Sequence, residues 1–534
     1  MFLVGPIVHE QKACKLKGLR AGTPRSYHRQ SISVGPETRI NQDASWHLSL
    51  FAPHVSGIVV WFWRMQFPDP ITSSKMLHKG PRLWMVPVGF GVVILLGALL
   101  LSLPFLKTGQ GVIPSFLDTL FVAVSATCVT GLSTFDIGEA YHPLGLGIVA
   151  VLIQVGGLGI FTAGLLITMV GGDRPSLAEE KTIDNTIGKV KSMRPKQVFG
   201  YACFFIVVFE ILGVGLLFLI GPPMGQGDGS GGGAARLGHS VFHAVSAFCN
   251  AGFSSFPEGL SVWRDHGLAL MVVNFLVIGG GIGLITLIQL RNSVLKRDQD
   301  SSKSRWTIQT RLCLWTTVIL LILGTLATLV FEWNHTLRGL AIGQRVSLAF
   351  VHSVMLRTAG FSVVDLGQMN PDTILGSLVW MYIGGCPGSM SGGIKTVTFA
   401  VILMTAWSAL RRRESIQLWG RKVEPKFVHI AVMISFLAGM MVLVGVGALM
   451  ITEGSNPHLP TDQRWLSLIF EVVSAFSTVG LSLNVTPHLS SAGKMVVMAL
   501  MFIGRVGPLM LAVHLSRPLK PSKVNYPKED LSLG

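Results

Sequence analysis

Charge is what this chain has least of. Only 13% of its residues are Asp, Glu, Lys or Arg, about half the share of a soluble domain, so a globule surrounded by water is excluded. Acids are scarcer than bases, 27 against 43. The six cysteines, at 14, 128, 203, 249, 313 and 386, form no CxxC pair and have no histidine partner, which leaves neither a disulfide framework nor a zinc site. No Walker motif is present, so the chain does not itself spend ATP. GQGDGSGGGAA (225–235) lacks the phosphate-loop lysine and reads as a flexible linker, and GGGIGL (279–284) lies inside an apolar run rather than after a strand. His9-Glu10 begins a metalloprotease-like string, but Ala13 stands where the second histidine belongs. Spaced His/Asp/Glu sets are missing from the apolar runs, which argues against an enzyme. MFLVGPIV, at the start, has neither the basic flank nor the cleavage site of a signal peptide.

What the chain does have is apolar length. Half its residues are hydrophobic and its mean hydropathy is +0.56. A spanning helix takes about 20 mostly apolar residues. Eight stretches qualify: 83–105, 143–171, 198–221, 266–290, 312–332, 373–410, 427–452 and 491–515. The net charge of +16 invites a nucleic-acid reading, but its placement opposes one. Bases gather after every second apolar run, at 173–197, 291–311 and 411–426, the last including Arg411, Arg412 and Arg413. Positive-inside bias then puts these segments and both termini in the cytoplasm and the alternate loops outside. The same basic segments suit lipid headgroups and a protein partner.

Four half-length apolar stretches interrupt this pattern: 114–126, 237–248, 343–356 and 464–476. Each is too short to cross and runs into a small-residue loop: SATCVTGLST, SAFCNAGFSS, SVMLRTAGFS and SAFSTVGLSL. Gly131, Gly252, Gly360 and Gly480 are each followed by Leu or Phe and then by Ser133, Ser254, Ser362 or Ser482. Glycine in spans ordinarily serves close helix packing, but packing does not predict this fourfold recurrence. Non-helical backbone at membrane depth must give its carbonyls to protein, water or an ion. Four such loops around one axis would make a ring of carbonyls able to replace the hydration shell of an alkali cation. The expected fold is therefore an all-α integral membrane protein. Its eight transmembrane helices form four repeats of span, pore helix, filter loop and span, with pseudo-fourfold symmetry around a central pore. The third unit departs slightly, because Ser353 lies seven residues before its glycine instead of six.

These motifs carry a resemblance. TCVTGL (127–132), CNAGF (249–253), RTAGF (357–361) and STVGL (477–481) resemble the four filter motifs of the Trk/Ktr/HKT potassium-transporter superfamily, and over residues 83–516 the chain is similar to its KtrB-like membrane subunit. The resemblance implies potassium binding by carbonyls of Val129, Thr130 and Gly131, of Asn250, Ala251 and Gly252, of Thr358, Ala359 and Gly360, and of Thr478, Val479 and Gly480. Plant relatives with serine at the first glycine favour sodium, so Gly131 implies selectivity for potassium. GGCPGSMSGGIKT (384–396) interrupts the sixth apolar stretch and cannot continue a helix. It resembles the family's intramembrane gate loop, with Gly384, Gly385, Gly388, Ser389, Gly392, Gly393 and Lys395 as its residues. Arg505 lies twelve residues before Arg517, about 18 Å along a helix and too deep to snorkel. It matches the family's arginine beside that loop; an ion pair with Glu471 is the plainer alternative.

The resemblance further implies a homodimer in a prokaryotic plasma membrane, docked on a cytoplasmic, KtrA/TrkA-like regulatory ring that binds nucleotide, with potassium as substrate, no cofactor in this chain and no nucleic acid. Trk-type transport, proton-linked, is the nearest rival, and a secondary carrier for an organic solute is the rival from another class; sodium dependence stays open. Asp136 and Asp365 follow filter glycines and read as outer-mouth charges or as solvated loop acids. By segments, 1–82 is a basic, disordered cytoplasmic extension with an alternative start at Met76. Residues 83–172, 198–290, 312–410 and 427–516 are the four repeats, and 517–534 is a cytoplasmic tail.

Overall fold

A computed structural model describes residues 85–108, 113–170, 195–221, 232–257, 259–295, 306–413, 415–459 and 463–515. All belong to His78–Gly534, one of two units into which the chain divides. The extension 1–82 and the tail 517–534 lie outside the described residues.

Helix dominates. The first segment gives α1 (Met85–Leu101), α2 (Phe116–Cys128) and α3 (Pro143–Val170). The second gives α4 (Pro195–Ile220), α5 (Gly233–Phe248), α6 (Gly267–Ile282) and α7 (Leu284–Val294). The third gives α8 (Ile308–Glu332), α9 (Ile342–Met355), α10 (Pro371–Tyr382) and α11 (Thr396–Leu410). The fourth gives α12 (Pro425–Glu453), α13 (Arg464–Phe476) and α14 (Ser491–Leu515). The strands among the described residues, Gln417–Leu418 and Arg421–Lys422, form one antiparallel hairpin in the basic stretch after α11.

Local chemistry sets the ends of these helices. Ser115 opens α2 with a reciprocal capping box, its hydroxyl accepting from Asp118 N at 3.2 Å while the Asp118 carboxylate accepts from Ser115 N at 3.3 Å. Thr307 accepts from Thr310 N at the start of α8. The half-length helices α2, α5, α9 and α13 hold 13, 16, 14 and 13 residues. At 1.5 Å per residue none approaches the ~30 Å of a hydrocarbon core. α4 (over Gln197–Ile220), α8 and α12 are each long and apolar enough to cross. α12 leaves Phe436, Leu443, Val444 and Ile451 exposed, an apolar outer surface suited to lipid.

The expected fourth span, 266–290, is not one straight helix. α6 and α7 meet at Gly283 with a bend of 103°. Gly283 has φ +91°, and a Cβ there would press on the Pro387 carbonyl oxygen at 2.5 Å, so the loop after α10 occupies the elbow. The Leu284 N–H, which opens α7, donates to Gly388 O at 2.8 Å.

The helices pack in a closed order. α1, α4, α8 and α12 lie against α2, α5, α9 and α13 of their own segments. The helix that follows each loop, α3, α6, α10 or α14, packs on the half-length helix of the next segment, giving the pairs α3/α5, α6/α9, α10/α13 and α14/α2. The last pair brings the end of the chain back to its beginning.

Candidate functional site

Every half-length helix ends in a left-handed residue or just before one. Val129, Asn250, Thr358 and Thr478 have φ of +56°, +58°, +61° and +50°. Each is followed two residues later by a glycine of positive φ: Gly131 (+99°), Gly252 (+72°), Gly360 (+75°) and Gly480 (+95°). Three of the four non-glycine residues are β-branched, the type for which this conformation is a true outlier. Strain of about 1–3 kcal/mol persists only where the surroundings impose it.

The glycines account for the imposition. A Cβ on Gly131 would collide with the Ala251 carbonyl oxygen, one on Gly252 would approach Ala359 O, one on Gly360 would collide with Val479 O, and one on Gly480 with Thr130 O. Each loop thus lies against the backbone of the next, and the fourth returns to the first. The loops that carry the twelve expected filter residues are brought together in this ring. Thr127 Oγ1, Thr130 Oγ1, both side-chain polar atoms of Asn250, Thr358 Oγ1, Ser477 Oγ and Thr478 Oγ1 are buried without a protein hydrogen-bond partner.

The surrounding serines serve the backbone. Ser125 and Ser474 accept from Gly131 N and Gly480 N, each at 3.1 Å. Thr130 N, Ala251 N and Val479 N donate to the carbonyls of Ser125, Ser246 and Ser474, each at 2.8 Å. In the third loop Ala359 N turns instead to Met355 O at 3.1 Å, and the Ser353 hydroxyl goes to Leu321 O at 2.9 Å. The seven-residue spacing shows here as a different bond pattern. Ser133 and Ser362 donate to Phe135 O and Val364 O at 2.5 and 2.6 Å. Ser254 accepts from Phe256 N at 3.0 Å, and Ser482 donates to Glu471 Oε2 at 2.7 Å. Asp136 caps a short helical turn through Gly138 N at 2.8 Å, and Asp365 caps another through Gly367 N at 3.0 Å. Burial pushes the Asp136 carboxyl up from its ordinary value, while those backbone donors hold it down.

Beneath the ring lies the interrupted sixth stretch. Residues 383–394 are buried apart from a half-exposed Pro387. The loop is stitched to the α6/α7 elbow by Cys386 N to Gly281 O (3.0 Å) and Met390 N to Gly280 O (3.2 Å). It is closed on itself by Gly384 N to Ile394 O (2.9 Å) and Thr396 N to Gly385 O (3.0 Å). Gly388 and Gly393 have φ of +66° and +65°. A Cβ on Gly384 would strike Gly392 O, one on Gly385 would meet the Ser389 and Ser391 side chains, and one on Gly392 would strike the Thr478 hydroxyl. The Ser389 and Ser391 hydroxyls have no protein partner. Lys395 Nζ donates to Ser391 O at 2.6 Å.

Arg505, 3% exposed, donates through Nη1 to Met390 O at 2.5 Å and through Nη2 to Gly156 O at 3.2 Å. The alternative ion pair is corrected by this geometry: Glu471 accepts from Ser482 and Thr486, not from Arg505. Two features escaped the reading of the sequence. Arg357, 8% exposed, sits in the third filter motif and donates to Gly384 O at 3.4 Å. A buried arginine in an apolar stretch was the available signal. The second is a recurring string, Val155-Gly156-Gly157, Ile278-Gly279-Gly280-Gly281, Ile383-Gly384-Gly385 and Ile503-Gly504-Arg505. Cβ atoms on Gly156, Gly280 and Gly504 would strike the carbonyls of Thr127, Phe248 and Phe476, at the ends of the half-length helices. Arg505 stands where the other strings have glycine.

The family model TrkH, described as a cation transport protein, matches residues 97–525. The chain is 33% identical to the Ktr system potassium uptake protein B of Bacillus subtilis, over 84% of this chain and 95% of that protein. It is 31% identical to the potassium/sodium uptake protein NtpJ of Enterococcus hirae, over 87% and 100%. A crystal structure of the potassium transporter TrkH from Vibrio parahaemolyticus superposes with a TM-score of 0.63 at 18% identity, covering 85% of this chain and 87% of that one, and shares the fold.

Proposed function

Because this chain belongs to the TrkH family of cation transport proteins, we propose that it takes up potassium across a prokaryotic plasma membrane, along the axis of its four glycine loops. The ring in which each filter glycine abuts the next loop's carbonyl carries this reading. Carbonyls held by strained, mutually braced backbone are preorganised to replace water around a monovalent cation. The names of the relatives from Bacillus subtilis and Vibrio alginolyticus, both Ktr system potassium uptake protein B, favour the Ktr branch. The name of the Enterococcus relative joins sodium to potassium, so sodium is the competing cargo, and the same assay separates the two.

On this reading the helices make eight crossings in four repeats with pseudo-fourfold symmetry, and both termini are cytoplasmic. Residues 384–396 are the gate. The loop presses Gly392 on Thr478 of the filter, and Arg505 ties it to α3 through Met390 O and Gly156 O. Opening breaks these charge-assisted bonds, each of about 1.5–3 kcal/mol. The basic cytoplasmic segments dock a regulatory ring that binds nucleotide and biases the loop, and the working unit is a homodimer. The test is uptake of potassium and rubidium in a host that depends on this chain for potassium. Gly131→Ser should admit sodium; unchanged discrimination would remove the filter assignment.

A further inference from the structure

Five of the six cysteines lie among the described residues, all as free thiols, and two of them adjoin. Cys313 stands on α8, one of the helices long and apolar enough to cross a membrane. Cys386 stands in the loop, three residues past Ile383. The Cys386 thiol is directed at the backbone of Cys313, with Cys386 Sγ 3.8 Å from Cys313 O. Both are fully buried, at 1% and 0% exposure. Threonine hydroxyls complete the enclosure: Thr396 Oγ1 at 3.4 Å and Thr317 Oγ1 at 3.6 Å from Cys386 Sγ. A disulfide bond is about 2.0 Å long; to form one, the Cys386 thiol must turn from the Cys313 carbonyl to the thiol of that same residue, and it rides on a segment built from glycines.

We propose that Cys313 and Cys386 are a redox modification site, whose reversible disulfide latches the loop in its closed position. The inference rests on reading 384–396 as the gate. With a peroxide as oxidant, the Cys386 thiolate attacks one peroxide oxygen. An S–O bond forms, the O–O bond breaks and hydroxide leaves, to be protonated to water. The Cys313 thiolate then attacks the sulfenic sulfur; the S–S bond forms, the S–O bond breaks, and a second water departs. Two thiols have given up two electrons and two protons, and one peroxide has become two waters. A dithiol reductant reverses the change by exchange. Closed, the pair is shielded from solvent by the loop itself, so the oxidant reaches it when the loop swings out. Oxidation therefore records how long the gate stands open.

The experiment uses the full chain in liposomes, treated with hydrogen peroxide during rubidium flux and then alkylated. The expected result is a linked peptide pair containing Cys313 and Cys386, a fall in flux of about tenfold or more, and recovery with dithiothreitol. Cys313→Ser should keep its flux in peroxide, which separates the latch from general oxidative damage. Absence of the linked pair, or a linked pair with unchanged flux, overturns the proposal. Arg505→Ala, measured without oxidant, distinguishes the two failures. If it raises flux while the linked pair does not lower it, the gate stands and only the latch falls. If it too leaves flux unchanged, the gate reading falls with it.

Discussion

Val129, Thr358 and Thr478 are held in a conformation that β-branched residues avoid, and the cost falls where a carbonyl must be aimed. The adjoining glycines carry the complementary constraint. Gly480→Ala would add about 1–2 kcal/mol of left-handed strain and also displace Thr130 O. We expect it to abolish potassium uptake while the protein still reaches the membrane, as uptake and immunoblotting of membranes will report. Arg505 offers a second test. Its planar fork reaches two carbonyls on different elements, and an ammonium group cannot copy that. Arg505→Ala should raise resting rubidium flux, with Arg505→Lys in between; wild-type flux in both would end its assignment to the gate. The four glycine loops were legible in the sequence because strain leaves a compositional trace, a small residue repeated wherever a side chain cannot go. Arg357 was not, because its role depends on a partner carbonyl, Gly384 O, that spacing cannot announce.

Elements follow the same division. The half-length helices could be read from length alone, since thirteen to sixteen residues cannot cross a bilayer. The bend at Gly283 could not. A glycine inside a helix costs only about 1 kcal/mol, so GGGIGL reads equally as a straight span or a broken one. What decides is the Gly388 carbonyl, supplied by a loop a hundred residues away, which takes over the first N–H of α7. Gly283→Ala should therefore loosen the loop, lowering the melting temperature in detergent and raising resting flux together; a stable protein with unchanged flux would separate the elbow from the gate. At the opposite end of the same logic, Gly504→Ala pushes α14 off the Phe476 carbonyl at the end of α13. Overpacking of this kind costs about 1–3 kcal/mol, and we expect reduced thermal stability with reduced uptake.

Across the whole molecule, the first and last segments are joined by more than apolar packing. Lys494 on α14 donates to Asp118 on α2 at 2.6 Å, both side chains being mostly buried. Asp118 also holds the α2 cap and Thr134 Oγ1. Removing one partner of such a pair strands the other. Lys494→Met should lower the melting temperature by several degrees, and adding Asp118→Asn should recover part of that loss; simple additivity of the two would deny the coupling.

The four strings, one opening on Val and three on Ile, end in glycine three times and in arginine once. That single exception makes the quarters of this chain non-interchangeable. A chimaera carrying a second copy of the α14 string in place of Val155-Gly156-Gly157 would bring a second guanidinium to the place where Arg505 already donates to Gly156 O. A chimaera with glycine in all four would leave Met390 O and Gly156 O without the guanidinium they share. Whatever history of duplication produced the four-part pattern, it ended with one copy that could no longer be exchanged for its siblings.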